Sequence, residues 1–151
     1  ITAPIYVSND GYVLDGHHRW AAVTSHEIMS GREAMMNVRV IDMPIDQLVK
    51  ESNEFAQKIV ESDVIVLDVR TAAEFNESHL SNSVNIDVLG DYFSADVAAL
   101  DKTKSYAIYC RSGKRSVDAS EAMDQMGFSA TFNLNGGIIE WIDSGRDIVS
   151  N

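Results

Sequence analysis

Two short apolar runs, "VIVLDV" (Val64–Val69) and "YAIYC" (Tyr106–Cys110), constrain this chain more than any other feature. A strand with one wetted face alternates apolar and polar residues, whereas a continuous run of this length suits a strand covered on both faces. Helical stretches lie between and after the two runs: "AAEFNESH", the turn "DVAALDK", and the segment from Ser116. In that last segment Ala119, Ala122, Met123 and Met126 fall at spacings 0, 3, 4 and 7, and Gly127 follows as a stop. "VNIDV" and "ATFNL" read as further strands, and "GGIIEWIDSG" as a closing helix ended by Gly145. Strands separated by helices predict an α/β fold: a mostly parallel sheet flanked by helices.

The first third of the chain differs in texture. Both prolines, Pro4 and Pro44, lie there. Asn9-Asp10-Gly11 reads as a hairpin-type turn between apolar stretches, because Asn and Gly tolerate positive φ. "HHRWAAVTSHEIMS" reads as a helix stopped by Gly31, and "NVRVI" alternates like a strand, which together make a small α+β appendage. Beyond Pro44, Leu48, Ser52, Phe55, Ala56 and Ile59 sit at spacings 0, 4, 7, 8 and 11, one face of a helix. The boundary is therefore set near Pro44, giving a segment 1–44 and a domain 45–151.

Charge narrows the partners. With 23 acidic against 12 basic residues the net charge is −11, which disfavours nucleic acid and anionic membrane surfaces alike. No apolar run approaches the roughly 20 residues that span a bilayer. One cysteine makes no internal disulfide, and no signal-peptide pattern follows Ile1; both fit a cytoplasmic location. An opening Ile rather than Met is expected of an excised or processed piece.

Three cations crowd that single cysteine in "YCRSGKRS". Cys110 ends a strand expected to be central, just before a helix, and this edge of an open α/β sheet is where ligands bind. Gly113 can take a conformation closed to other residues, so Cys110–Arg115 can fold into a nest of backbone N–H groups. The nest, the helix N-terminus and Arg111, Lys114 and Arg115 all favour an anion, either a thiolate of lowered pKa or a charged substrate. Position alone fits a packed, inert thiol. The clustered cations and the glycine argue for reactivity, because a structural cysteine has no use for either.

"VIVLDVRTAAEFNESHLSNSVNI", "YCRSGKRS" and "NLNGGIIEW", in that order, resemble the rhodanese-like sulfurtransferases over about Ile45 to Asn151. The resemblance implies that Cys110 is a catalytic cysteine carrying a persulfide. Arg111, Ser112, Gly113, Lys114 and Arg115 would form the substrate-binding loop, with Ser116 opening the next helix. Asp68 and Arg70 match the family's "DVR", Glu74 and His79 its "E-[YF]…H", and Gly136, Gly137 and Trp141 its "GG…W". These are expected to be structural, with Arg70 reaching the site and Asp68 capping a neighbouring helix. This chain writes "SHLSNS" (Ser78–Ser83) where the family often has "GHIPGA", and Ala72 where a proline is usual. Related phosphatases of this fold use Cys-x5-Arg; Cys110 to Arg115 is Cys-x4-Arg, a tighter loop suited to one terminal sulfur. The implied reaction moves sulfane sulfur from a small anionic donor such as thiosulfate to a thiol, cyanide or protein acceptor, without a cofactor. The rival from another class is a non-catalytic rhodanese binding or regulatory module.

The N-terminal "VLDGHHRWAA", followed by "NVRVI", resembles the core of the ParB/sulfiredoxin-like fold over about Ile5 to Asp42. That resemblance implies nucleotide-phosphate contacts at Gly16, His18 and Arg19, and hence a nucleotide partner. Sulfiredoxins place their cysteine where His17 stands, so their chemistry is not expected here. Adjacent histidines diverge by about 100° on a helix. His26 is eight positions beyond His18 and no HExxH pattern is near, so no metal is expected.

Overall fold

The computed structural model describes residues 5–11, 13–15, 38–41 and 43–150, with side chains left aside at 13–15 and at 38–39. The chain divides into two compact units, Ile1–Gln47 and Leu48–Asn151.

In the first unit, β1 (Ile5–Ser8) pairs antiparallel with β2 (Val13–Asp15) and parallel with β3 (Val38–Ile41). The turn between β1 and β2 closes through a Gly11 N–H to Ser8 carbonyl bond of 3.0 Å, with Gly11 at φ +92°. The helix expected over 17–30 lies outside the described residues, as do Gly16, His18 and Arg19. Helix α1 (Ile45–Lys58) begins here and crosses into the second unit. There it buries Leu48, Ser52 and Phe55, the face expected from their spacing.

The second unit holds a four-stranded parallel sheet in the order β6 (Val84–Asn85), β4 (Val64–Asp68), β7 (Ser105–Tyr109) and β8 (Thr131–Asn133). Helices α2 (Ala72–Glu77), α3 (Phe93–Ala98), α4 (Lys114–Gln125) and α5 (Gly137–Asp143) connect or follow these strands. Alternate side chains of β7 enter two different cores. Tyr106, Ile108 and Cys110 join Leu67, Val69, Phe93 and Met123 on one face, while Ala107 and Tyr109 join Phe55, Val66, Leu134 and Trp141 on the other. Burial on both faces is why these runs show no polar alternation. Parallel pairing sends the carboxyl ends of β4 and β7 to one edge, where Val69 N–H reaches the Tyr109 carbonyl at 3.0 Å and the cysteine loop starts.

A small ribbon, β5 (Ser78–His79) with β9 (Val149–Ser150), ties the C-terminal tail to the turn after α2. In that turn Asn82 takes φ +60°, filling the left-handed position where the family's "GHIPGA" has its glycine. Asn is one of the few side-chain-bearing residues that enter this region readily. Ala72 stands at the start of α2 where the family usually has proline, and Thr71 caps the helix before it. Its hydroxyl accepts from Glu74 N–H, and the Glu74 carboxylate accepts from Thr71 N–H, a reciprocal capping box.

Candidate active site

The loop leaves β7 at Cys110, which is 1% exposed. Its Sγ accepts the Gly113 N–H at 3.1 Å and lies 3.4 Å from Ser116 Oγ. That hydroxyl is also 2.9 Å from the Gly113 carbonyl, so one proton serves two acceptors. Bringing the amide of residue 113 back over the sulfur of residue 110 requires a left-handed turn, and Gly113 has φ +91°. Any other residue is excluded twice over, because a Cβ there would sit 1.8 Å from the Asn135 carbonyl oxygen. Gly113 is itself the N-cap of α4, so that helix begins at Lys114, two residues before Ser116. Ser116 therefore does not open the helix as expected. It lies in the first turn, fully buried, where its hydroxyl can point back at the sulfur.

A second element fixes the loop from outside. The Ile138 N–H donates to the Cys110 carbonyl at 2.9 Å and the Ile139 N–H to the Arg111 carbonyl at 3.2 Å. Carbonyl and N–H point in opposite directions across a trans peptide, so the amides of Arg111 and Ser112 are turned away from α5. This close docking is what the double glycine permits. Gly137 has φ +59°, and a Cβ on it would approach the Arg111 carbonyl oxygen to 2.4 Å. Expected as turn and core residues, Gly136–Gly137 do form a turn, and that turn also carries the amides that orient the cysteine loop.

The three cations have different surroundings. Lys114 is exposed, and Arg111 is half-buried like Ser112. Arg115 reaches back to α2, where its two terminal nitrogens bond Glu74 Oε2 at 2.8 Å and Oε1 at 2.7 Å. Those bonds hold the Glu74 carboxyl at about 2, against the opposing effect of partial burial. Arg115 is raised in turn, first by Glu74, with smaller contributions from Cys110 and Asp87. Arg115 thus feels the sulfur while paired with a carboxylate. Glu74, which the resemblance marked only as structural, is the strut that positions it. Their 41-residue separation left no signal in local pattern.

Arg70 is buried beneath the same edge. Its Nε and one terminal nitrogen bond Asp68 at 3.0, 3.1 and 2.6 Å, and that terminal nitrogen also donates to the Ser78 carbonyl at 2.6 Å. Burial opposes the charge on Arg70, and Asp68 overcomes it to leave the pKa raised. These contacts tie β4 to the turn after α2. Asp68 does not cap a helix as expected; Thr71 does that, and Asp68 is 0% exposed against its arginine. Next to this pair the Tyr109 hydroxyl accepts the Leu80 N–H at 3.0 Å, and burial followed by the Asp68 charge pushes its pKa up. His79 stacks on Phe75 with ring centroids 4.0 Å apart, a packing role.

A parallel sheet with a hydrogen-bonded cysteine in a tight loop at its carboxyl edge defines the class: an α/β domain built around one thiol. The rhodanese-like domain matches residues 51–144, and the chain belongs to that family. It is 31% identical over 101 residues to a sulfurtransferase of Allochromatium vinosum, an alignment covering 66% of this chain and 92% of that protein. A tRNA uridine(34) hydroxylase of Pelagibacter ubique is 35% identical over 85 residues, but those span 56% of this chain and 28% of the hydroxylase. Among solved structures, a rhodanese-related protein from Thermoplasma volcanium superposes with a TM-score of 0.56 at 30% identity, covering 65% of this chain and 93% of that one. No helix among the described residues is long and apolar enough to cross a membrane.

Proposed function

We propose that this protein is a sulfurtransferase that carries sulfane sulfur as a persulfide on Cys110. The observation that carries the reading is the sulfur's surroundings. The Gly113 N–H and the Ser116 hydroxyl are both aimed at Sγ, in a loop fixed by α5 on one side and by Glu74–Arg115 on the other. Donors preorganised around one atom stabilise negative charge there, which an inert packed thiol does not need.

The reaction is a double displacement. The Cys110 thiolate attacks the outer sulfur of thiosulfate; the new S–S bond forms as the bond to the sulfonate sulfur breaks, and sulfite leaves with the electron pair. A nucleophilic acceptor then attacks the outer persulfide sulfur, and Cys110 departs as thiolate. No general base is required when the thiol enters as its anion. Arg111, Ser112, Lys114 and Arg115 are assigned to donor binding, while Arg70, held by Asp68 and the Ser78 carbonyl, braces the end of β4.

Intact-mass measurement after incubation with thiosulfate tests this, comparing wild type with Cys110→Ser. One added sulfur on the wild type only is expected. No addition, together with a thiol that resists alkylation, overturns the catalytic reading. The protein would then be a binding module beside a nucleotide-phosphate site at Gly16, His18 and Arg19, whose signature is nucleotide binding lost in Arg19→Ala.

A further inference from the structure

The segment after β6 runs along the same sheet edge as the cysteine loop. Ile86 N–H bonds the Asp68 carbonyl at 2.9 Å and Val88 N–H the Val69 carbonyl at 3.3 Å, so residues 86–88 lie against the end of β4. Val69 N–H is in turn bonded to the Tyr109 carbonyl, one residue before Cys110. Asp87 is close enough for its charge to act on Arg115. Ile86, Val88 and Phe93 pack into the same apolar cluster as Cys110. Three local bonds shape what lies between: Asp87 Oδ1 accepts from Leu89 N–H at 2.9 Å, the Asp87 carbonyl from Gly90 N–H at 3.0 Å, and the Gly90 carbonyl from Phe93 N–H at 3.2 Å.

On this anchored turn two large side chains face solvent: Leu89 is 70% and Tyr92 77% exposed. A turn pinned by apolar anchors and by its own hydrogen bonds does not need either of them outside. Side chains of this size, held out on an anchored turn at the same sheet edge as the cysteine loop, have the character of interface anchors. The two charged residues on this turn are both acidic. Asp87 and the exposed Asp91 flank Leu89 and Tyr92, on a chain of net charge −11. That field repels RNA and favours a basic protein surface.

We propose that Leu89 and Tyr92, with Asp87 and Asp91, form the docking surface for the sulfur acceptor, and that the acceptor is a protein segment. Its cysteine would be flanked by an apolar residue and by Lys or Arg. The inference rests on the sulfurtransferase reading above. The acceptor thiolate attacks the outer sulfur of the Cys110 persulfide, becomes the persulfide itself, and releases Cys110 as thiolate, with no outside oxidant or reductant.

The test is single-turnover transfer from the thiosulfate-loaded full chain to three acceptors: cyanide, a synthetic cysteine peptide with flanking leucines and lysines, and the same peptide with glutamates for the lysines. Wild type is expected to prefer the lysine peptide. The double variant Leu89→Ser, Tyr92→Ser should lose about tenfold in the second-order rate constant of transfer to that peptide while transfer to cyanide is unchanged. Asp91→Lys should narrow or reverse the preference between the peptides. Equal rates with both peptides, or an equal loss for cyanide in the double variant, overturns the docking surface. A wild-type dimer that the double variant dissolves also overturns it, because the face would then belong to a second copy. If the wild type takes up no sulfur at all, the sulfurtransferase reading fails and the acceptor assignment falls with it.

Discussion

Replacing Glu74 by Gln isolates the charge that holds Arg115. The amide keeps the shape of the carboxylate and an oxygen for the Thr71 N–H, so the capping box survives in outline. What is lost is a bidentate ion pair with bonds of 2.8 and 2.7 Å. The Glu74 carboxyl is lowered from 4.5 to about 2, a drop of about 2.5. At ~1.36 kcal/mol per unit this sets a ceiling of about 3.4 kcal/mol. The two side chains are 22% and 24% exposed, and solvent screening brings the expected contribution to about 1–2 kcal/mol. The folded-state pKa is depressed, so the stabilisation is fully present above the unfolded value of 4.5 and fades as pH falls toward about 2. Urea unfolding of wild type and Glu74→Gln should therefore differ by about 1–2 kcal/mol at neutral pH and converge near pH 2. A difference that stays constant across that window would refute the pairing as its source. So would a variant as stable as wild type at neutral pH.

Two further substitutions test the sulfur's surroundings. Gly113→Ala places a methyl 1.8 Å from the Asn135 carbonyl at φ +91°. It should cost about 3 kcal/mol or more by urea unfolding and abolish sulfur loading by intact mass, because the loop must open to admit it. Ser116→Ala removes the hydroxyl 3.4 Å from Sγ in a buried first turn. Stability should fall by about 1 kcal/mol, while the rate of alkylation by iodoacetamide should fall several-fold. An unchanged alkylation rate would show that the hydroxyl serves only the Gly113 carbonyl.

What the sequence made legible follows from the range of the forces involved. Runs such as Val64–Asp68 and Ser105–Tyr109 announce doubly buried strands, because their apolar residues pack alternately into cores on both faces of the sheet. The α1 face was legible because Leu48, Ser52 and Phe55 repeat at helical spacing. The β5–β9 ribbon was not, since two-residue strands 70 positions apart (His79 against Val149) carry no periodicity. "VNIDV" was read as a strand over its full length, but only Val84–Asn85 pair as one; beyond them the chain bends into the turn that carries Leu89 and Tyr92. At the site, the loop and its cysteine were plain from residue types. The partners of those residues were not: Glu74 for Arg115, Ile138 and Ile139 for the loop carbonyls, and Asn135 against Gly113.

Those partners change what the cluster of cations means. By residue count the loop presents three positive charges to one sulfur, yet Arg115 faces a carboxylate at bonding distance and Asp87 adds a second negative charge nearby. The atoms that touch Sγ directly are an amide and a hydroxyl, both neutral. Fixed dipoles hold a charge that comes and goes better than a free cation does, because they need no reorganisation when the sulfur is neutral and none when it is not. On a chain of net charge −11, a loop relying on net positive charge would also lose much of it to its own surroundings. The arginine at the end of the loop therefore has a mechanical role beside its assignment to donor binding. It pulls the first turn of α4 toward α2, and so keeps Ser116 and Gly113 where the sulfur needs them.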